Sequence, residues 1–286
     1  MPPDTGTPPA GPRCDITRRF LPPTLVPAVN TTSTEVAPRL SRDELELFFT
    51  RSTGEVNGYD FFVARRDNPD ADFGEPTRID ELSTSNGSEG GAFLAADNLT
   101  LFYNDGEGIA VARRADRNGP FVPGGKLAGS VNSAGAVGAW PYLTQQEQVM
   151  YFSIEQSMPS ITASPYRALR AVDGTFQAPL PVDELKVTAG QGVDKNPVLS
   201  PDGRTIYWGR RTTGRGDDIW IATRESTAAS FSNARADGDL SSQVYDVPGW
   251  VSADGCVIYF ESDRDPDDPG GTNLVDYNLW VARRPK

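Results

Sequence analysis

Pro197-Val198-Leu199-Ser200-Pro201-Asp202-Gly203-Arg204-Thr205-Ile206-Tyr207-Trp208 is the stretch that decides the fold. An apolar run meets Asp-Gly and resumes as a β-branched and aromatic run, the pattern of two antiparallel strands joined by a tight turn. The dipeptide predicts a type I′ turn, in which both central residues need positive φ. A third strand follows at Asp218-Ile219-Trp220-Ile221-Ala222-Thr223-Arg224 and ends in Ala-x-Arg, and a fourth unit begins at Phe231 and runs through Ala234, Asp237 and Leu240. Outward from here, the Ala-x-Arg ending recurs at Ala64/Arg66, Ala112/Arg114, Ala168/Arg170 and Ala282/Arg284. Successive alanines stand 48, 56, 54 and 60 residues apart. That period is slightly longer than a four-stranded propeller blade and too long for most helical repeats.

Each copy carries the preceding hairpin as well. Blade five has Asp254-Gly255, and blades one to three have weaker turns at Asp43-Glu44, Asp97-Asn98 and Gln146-Glu147. The Phe-led fourth unit recurs at Phe73, Phe121 and Phe176 but is missing after Arg284; an orphan copy, Arg18-Arg19-Phe20-Leu21-Pro22, stands at the other end. Proline within such a unit restricts it to a sheet edge, so it is the outermost strand. The reading is an all-β, five-bladed β-propeller with four-stranded blades at about 35–82, 89–128, 137–185, 194–240 and 246–286, closed by an N-terminal strand within 18–30. Closure removes the open edge of the array. Residues 1–14 read as a disordered Pro/Gly-rich leader and 15–286 as the single domain.

The run Pro197–Gly203 with Asp218-Ile219-Trp220-Ile221-Ala222 resembles the TolB-like, WD-like propeller repeat, over roughly residues 18–286. The resemblance implies an extracytoplasmic propeller of bacterial type, a protein- or glycan-facing module at the envelope, periplasmic, surface-anchored or secreted once a signal segment outside this sequence is gone. It brings no catalytic residues with it, because the repeat motif is structural.

Composition narrows the function further. The 286 residues carry 27 basic and 39 acidic side chains, a net charge of −12, which repels phosphate backbones and excludes nucleic acid as a partner. Histidine is absent, which removes His-dependent triads and the commonest ligand of catalytic zinc. No apolar run reaches the ~20 residues of a membrane span. The chain reads as a monomer. Cys14 and Cys256 both fall in the closing blade, and they are expected to form a disulfide if the protein is exported.

Features that recur in every blade serve the fold; features that occur once can serve a function. By that rule the Ala-x-Arg arginines are structural, paired with acidic neighbours, and Trp220 and Trp280 pack between blades. Arg215-Gly216-Asp217 spells an adhesion tripeptide but sits where the repeat places a loop. Five residues before Leu40, Leu94, Leu143, Leu199 and Val251 stand Glu35, Glu89, Gly138, Asp194 and Asp246. Four carboxylates at the starts of the innermost strands are expected to crowd one channel mouth, with Trp140 and Trp250 as nearby aromatics. Such crowding is relieved by a cation, a cationic ligand or capping of each strand's own loop, so Ca²⁺ is the one cofactor the pattern admits. Asp263, Asp265 and Asp267 form a second, partial calcium-loop pattern that lacks the Gly and the final Glu.

Three loops on the same face, Ser153–Pro165, Arg210–Asp217 and Glu261–Asp276, are long and unlike one another. The first expectation is a non-enzymatic propeller that binds a protein or glycan with this uneven acidic face. The alternative is a five-bladed glycoside hydrolase using paired carboxylates, or a lectin.

Overall fold

A computed structural model describes residues 13–54, 58–84, 89–132, 137–144, 146–156, 162–185, 193–211, 216–267 and 274–286. Strand β1 (Thr24–Leu25) precedes four complete antiparallel units. The first is β2 (Glu35–Leu40), β3 (Glu46–Ser52), β4 (Tyr59–Arg65) and β5 (Thr77–Arg78). The second is β6 (Gly90–Leu94), β7 (Thr100–Asn104), β8 (Ile109–Arg113) and β9 (Val122–Lys126). The third is β10 (Val137–Leu143), β11 (Val149–Gln156), β12 (Thr162–Leu169) and β13 (Leu180–Pro181), and the fourth is β14 (Val193–Leu199), β15 (Thr205–Arg211), β16 (Asp217–Thr223) and β17 (Ser232–Ala236). Then β18 (Asp246–Val251), β19 (Val257–Arg264) and β20 (Leu274–Arg283) take β1 as their outermost strand, in register Thr24–Val281 and Leu25–Trp280. A single parallel bridge, Ala163–Val193, links units three and four. The innermost strands touch in a closed cycle, β2 to β6, β10, β14, β18 and back to β2. The chain is a β-propeller whose inner strands ring a channel.

The core lies between blades, where β-branched and aromatic residues of one sheet face those of the next. Phe48 and Phe61 pack with Leu94, Leu101 and Tyr103, and Trp208 packs with Ile258 and Phe260. The Ala-x-Arg arginines are structural, as the repeat rule implies: Arg66, Arg114 and Arg170 pair with Glu44, Glu46 and Glu147 as expected, and a second partner, common to all five, is aromatic. Arg66, Arg114, Arg170, Arg224 and Arg284 each lie over the Phe that opens their outermost strand (Phe73, Phe121, Phe176, Phe231, Phe20), 4.0–5.3 Å from the ring centroid. Each also donates to a turn carbonyl of its own blade, of Glu44, Asn98, Glu147, Gly203 or Gly255. The planar guanidinium suits this double task of stacking and forked donation. Phe20 filling the fifth place makes the N-terminal segment a true member of blade five.

Arg13 and Cys14, assigned to the leader by sequence, belong to the fold. Cys14 is bonded to Cys256 with Cα atoms 5.6 Å apart, inside the ~7 Å reach of a disulfide. Arg13 bridges Asp254 of blade five and Glu44 of blade one.

Two turn expectations change. The Asp-Gly hairpins are not type I′: only the second residue has positive φ, Gly203 at 65° and Gly255 at 70°. The loops are longer, with bonds from the Gly203 amide to Ser200 O and from the Gly255 amide to Ser252 O, so one left-handed residue follows an ordinary turn. Glu44, Asn98 and Glu147 adopt the same left-handed conformation at 65°, 57° and 55°, so the weaker turns of blades one to three share this geometry. The long loops are also largely strand. β11 and β12 stay in register out to Gln156–Thr162, and β15 and β16 to Arg211–Asp217. Continuing the ladder satisfies backbone groups that a loose loop would leave to solvent. Blade two alone turns early, at Asn104–Ile109, leaving the rim low beside it.

Every innermost strand carries a bulge, between Val36 and Arg39, Gly90 and Phe93, Ala139 and Tyr142, Lys195 and Val198, and Pro248 and Trp250. Pro38, Pro141, Pro197 and Pro248 explain where: a residue without an N–H cannot continue the ladder. Ala37, Gly91, Trp140 and Asn196 take positive φ there. A Cβ at Gly91 would stand 2.7 Å from the Trp140 ring, and one at Gly249 2.3 Å from Pro38 O, where the first and last blades meet.

Candidate functional site

The four inner-strand carboxylates do not form one acidic mouth; each is taken up within its own blade. Glu35 accepts the Thr31 amide (3.1 Å) and hydroxyl (2.6 Å) and pairs with Arg51 Nε at 2.7 Å. Asp246 accepts the Ser242 amide (2.6 Å) and hydroxyl (2.7 Å) and pairs with Arg264. Asp194 accepts Trp208 Nε1 at 3.0 Å and Arg210 Nε at 2.6 Å. Glu89 accepts the Thr84 amide and hydroxyl. Arg51, Arg210 and Arg264 also donate to Val29 O, Leu185 O and Leu240 O, and each lies over aromatic rings of its blade's middle strands. In blade three, Gly138 and Ile154 stand where blades one and four carry acid and arginine; blade two keeps Glu89 but has Asp105 at the arginine's place, so the pair belongs to blades one, four and five. The carboxylate closes a loop; its partner arginine, stacked on aromatic rings of two strands, is the signal in the sequence that marks it as structural.

Trp140 and Trp250 also part company. Trp140 sits at the bulge against Gly90 and Gly91, its Nε1 donating to Glu155 at 3.0 Å. Trp250 lies lower in the channel, edge-on to Tyr259, at a ring distance of 6.0 Å. With Leu40, Phe93, Tyr142 and Val251 it walls a narrow funnel of about 70 Å³ at the opposite mouth, with Arg42 and Glu147 also lining it.

The calcium-loop expectation at Asp263, Asp265 and Asp267 finds no converging ligands. Asp263 turns inward to accept the Tyr245 amide at 2.8 Å, and Asp265 accepts the amide of Asp267 at 2.9 Å. Among the described residues no group of three or more carboxylates is placed to hold a metal ion. Asp217 of the adhesion-like tripeptide is fully buried in ion pairs, and Arg215 lies outside the described residues.

A different set of residues gathers where blades four, five and one meet. The register places Thr50, Asn104, Ser153, Gly209 and Glu261 at equivalent points of the second strands. The bulges free backbone N–H groups toward this position of the preceding blade: Asn196 N donates to Ser153 Oγ at 3.1 Å, and Ala37 N to Glu261 Oε2 at 2.5 Å. Only in blade five is that acceptor a carboxylate. Burial pushes the Glu261 carboxyl above the usual range, against the pull of Lys195, the Ala37 amide and Arg39. Lys195 Nζ lies 2.8 Å from Asp217 Oδ2, and Arg211 Nε lies 2.7 Å from Asp217 Oδ1.

Three tyrosines, each half-buried, surround these acids. Tyr245 and Tyr277 have ring centroids 6.2 Å apart, and the Arg211 guanidinium lies 5.1 Å from the Tyr245 ring. Burial first, then the charges of Asp263, Glu261 and Asp217, suppress ionisation of Tyr277; burial, Glu261 and Asp276 do the same for Tyr59. The face therefore offers neutral phenols, a protonatable buried carboxyl, an ion-paired carboxylate and a lysine within one neighbourhood.

No family model matches the chain, and no curated protein does. Solved structures do share its architecture. A thermostable family-43 glycoside hydrolase superposes with a TM-score of 0.62 at 15% identity over 91% of this chain and 92% of that one. The α-L-arabinofuranosidase of Podospora anserina, solved with cellotriose, gives 0.59 at 14% identity over 94% and 98%. TolB of Acinetobacter baumannii gives 0.47 at 10% identity over 88% and 54%, too distant to carry an argument. At these identities the likeness establishes the β-propeller fold and nothing finer.

Proposed function

We propose that this protein is a carbohydrate-directed propeller, binding an oligosaccharide over the tyrosine-flanked acids of blades four, five and one. The observation that carries the reading is the placement of half-buried Tyr59, Tyr245 and Tyr277 around Glu261, Asp217 and Lys195. A pyranose or furanose ring presents C–H faces that stack on aromatic rings and hydroxyls that pair with carboxylates and ammonium groups. Trp250 lies at the opposite mouth and supplies no such platform here, but the tyrosines do. Among proteins of this fold, a glycoside hydrolase and an arabinofuranosidase act on glycans, which favours a sugar over a protein partner. The Cys14–Cys256 bond suits an oxidising compartment, hence an exported protein that meets glycans outside the cytoplasm.

Hydrolysis is a second reading, favoured by one feature: Glu261 is held toward its protonated form by burial, as a general acid requires, while Asp217 stands nearby as an ion-paired carboxylate. The deciding experiment is titration of cello-, xylo- and arabino-oligosaccharides, followed by tyrosine and tryptophan fluorescence and by product analysis. Tyr277→Ala is expected to weaken binding about tenfold, the loss of one aromatic contact of ~1.4 kcal/mol. Glu261→Gln, which keeps an acceptor oxygen and loses the acid, is expected to retain part of the sugar binding and to abolish any turnover. Absence of binding across all three series, or unchanged binding by Tyr277→Ala, would overturn the proposal.

A further inference from the structure

The innermost strands present one equivalent residue each at the level below the bulge: Arg39, Phe93, Tyr142, Val198 and Trp250, fixed by their register partners Phe48, Phe102, Tyr151, Tyr207 and Tyr259. Four of the five are apolar or aromatic. The fifth is an arginine that is 1% exposed. Its Nε, Nη1 and Nη2 all lack a hydrogen-bond partner. The guanidinium carbon lies 5.8 Å from the Tyr142 ring centroid, two blades away, so the side chain reaches across the channel.

A buried guanidinium with five unmet N–H donors is strongly unfavourable. One ring contact offsets only part of that desolvation. Burial lowers its pKa to about 10, which still leaves it charged at neutral pH. The charged groups around it do not settle the account. Glu261 spends its Oε2 on the Ala37 amide and is itself driven toward neutrality, and Lys195 is matched by Asp217. Tyr142 gives its hydroxyl proton to Leu199 O at 2.8 Å. Two other buried inner-strand atoms without partners, Asn196 Oδ1 and Glu89 Oε2, are acceptors. Arg39 differs in leaving a net positive charge.

We propose that Arg39 anchors a binding site for a small monovalent anion on the channel axis, bounded by Tyr142 and the aromatic layer. The planar fork of donors favours a carboxylate, held by two parallel bonds, over a spherical halide. The anion comes either from solution, as acetate or formate, or as the acid group of a sugar entering through the funnel; the chemistry at Arg39 is the same.

The test is thermal unfolding of the full chain at constant ionic strength, with acetate, chloride or glucuronate replacing a bulky sulfonate. Acetate is expected to raise the melting temperature saturably, by about 4 °C at a hundredfold excess over Kd, and chloride by less. A rise with glucuronate equal to that with acetate assigns the site to an acidic sugar; no rise with glucuronate assigns it to free anions. Arg39→Met, close to it in length and uncharged, is expected to fold and to lose the response. A second measurement needs no variant: crystals of the native chain soaked in bromide are expected to show the ion within bonding distance of the guanidinium. Melting independent of anion identity, an undiminished response in Arg39→Met, or a channel holding water alone at Arg39 would each refute the proposal.

Discussion

Replacing Asp246 by Asn tests whether the inner-strand carboxylates are structural closures or a strained cluster of like charges. Its two oxygens divide their work: one accepts the Ser242 amide and hydroxyl at 2.6 and 2.7 Å, the other takes the buried Arg264. Both residues are nearly inaccessible. An asparagine has one acceptor and one donor, so either the Ser242 pair or Arg264 faces an N–H in place of an oxygen. Losing charge-assisted bonds costs about 1.5–3 kcal/mol, and stranding a buried cation brings breakage of such a pair to about 3–5 kcal/mol. Arg264 keeps Leu240 O and the Ser262 hydroxyl, which places the expectation near 3 kcal/mol. Unfolding entropy of ~2.1 cal/mol/K per residue over 286 residues converts this to a fall of roughly 5 °C, readable by calorimetry or circular dichroism. In the double variant Asp246→Asn/Arg264→Met part of the loss should return, because the stranded charge is gone. A melting temperature that holds or rises in Asp246→Asn would refute the reasoning: it would mean that the carboxylates repel one another and that the paired geometry contributes nothing.

The closing blade gives further expectations. Cys14→Ser should lower stability by up to ~5 kcal/mol, the chain-entropy value for so long a loop, and reducing agent should do the same to the native chain. Removing residues 1–27 takes away the disulfide, Phe20 and β1, and should give aggregation or a broadened transition; removing 1–12 should leave the melt unchanged, and equal melts for both would contradict closure by this segment. For acid, desolvation works to raise Asp43 and Asp254, but bonds from Arg117 and Ser41, and from Arg13 and Ser252, outweigh it, holding Asp43 at about 2 and Asp254 well below the usual range. Folded values below unfolded ones mean stability present above the usual carboxylate range and lost as pH falls through the folded values, so the melting temperature should drop steeply between about pH 4 and 2. Asp254→Asn should lower it at neutral pH and flatten that drop.

The fold was legible because its determinants repeat. Ala-x-Arg, the turn before the second strand and the Phe of the outermost strand each recur, and each repeats for one physical reason: the arginine stacks on that Phe and bonds that turn. Glu44 and Glu147 hid the same left-handed turn because nothing in their side chains announces positive φ. The site was read less well, although the rule for finding it was sound. Counting back to the start of each inner strand found a position where acids recur, and recurrence marks a structural part; the arginines sixteen or eighteen residues later, Arg51, Arg210 and Arg264, complete it.

Applied instead to positions where one blade departs from the rest, the same rule selects Glu261 among Thr50, Asn104, Ser153 and Gly209, and Arg39 among Phe93, Tyr142, Val198 and Trp250. Alignment of those columns depends on the bulge in each inner strand, which moves the facing residue by one and which the prolines signal only once the strand is known. The two exceptions are coupled in space as well: the bulge that frees the Ala37 amide for Glu261 lies two residues from Arg39 on the same strand. One irregularity in β2 thus positions both a buried acid facing the tyrosines and a buried cation on the axis. A chain that needed only a closed ring would have no use for either, since an apolar residue at both places packs without desolvating a charge. Their presence is the physical reason to look for ligands at these two levels of the channel and not at the acids of the loop closures.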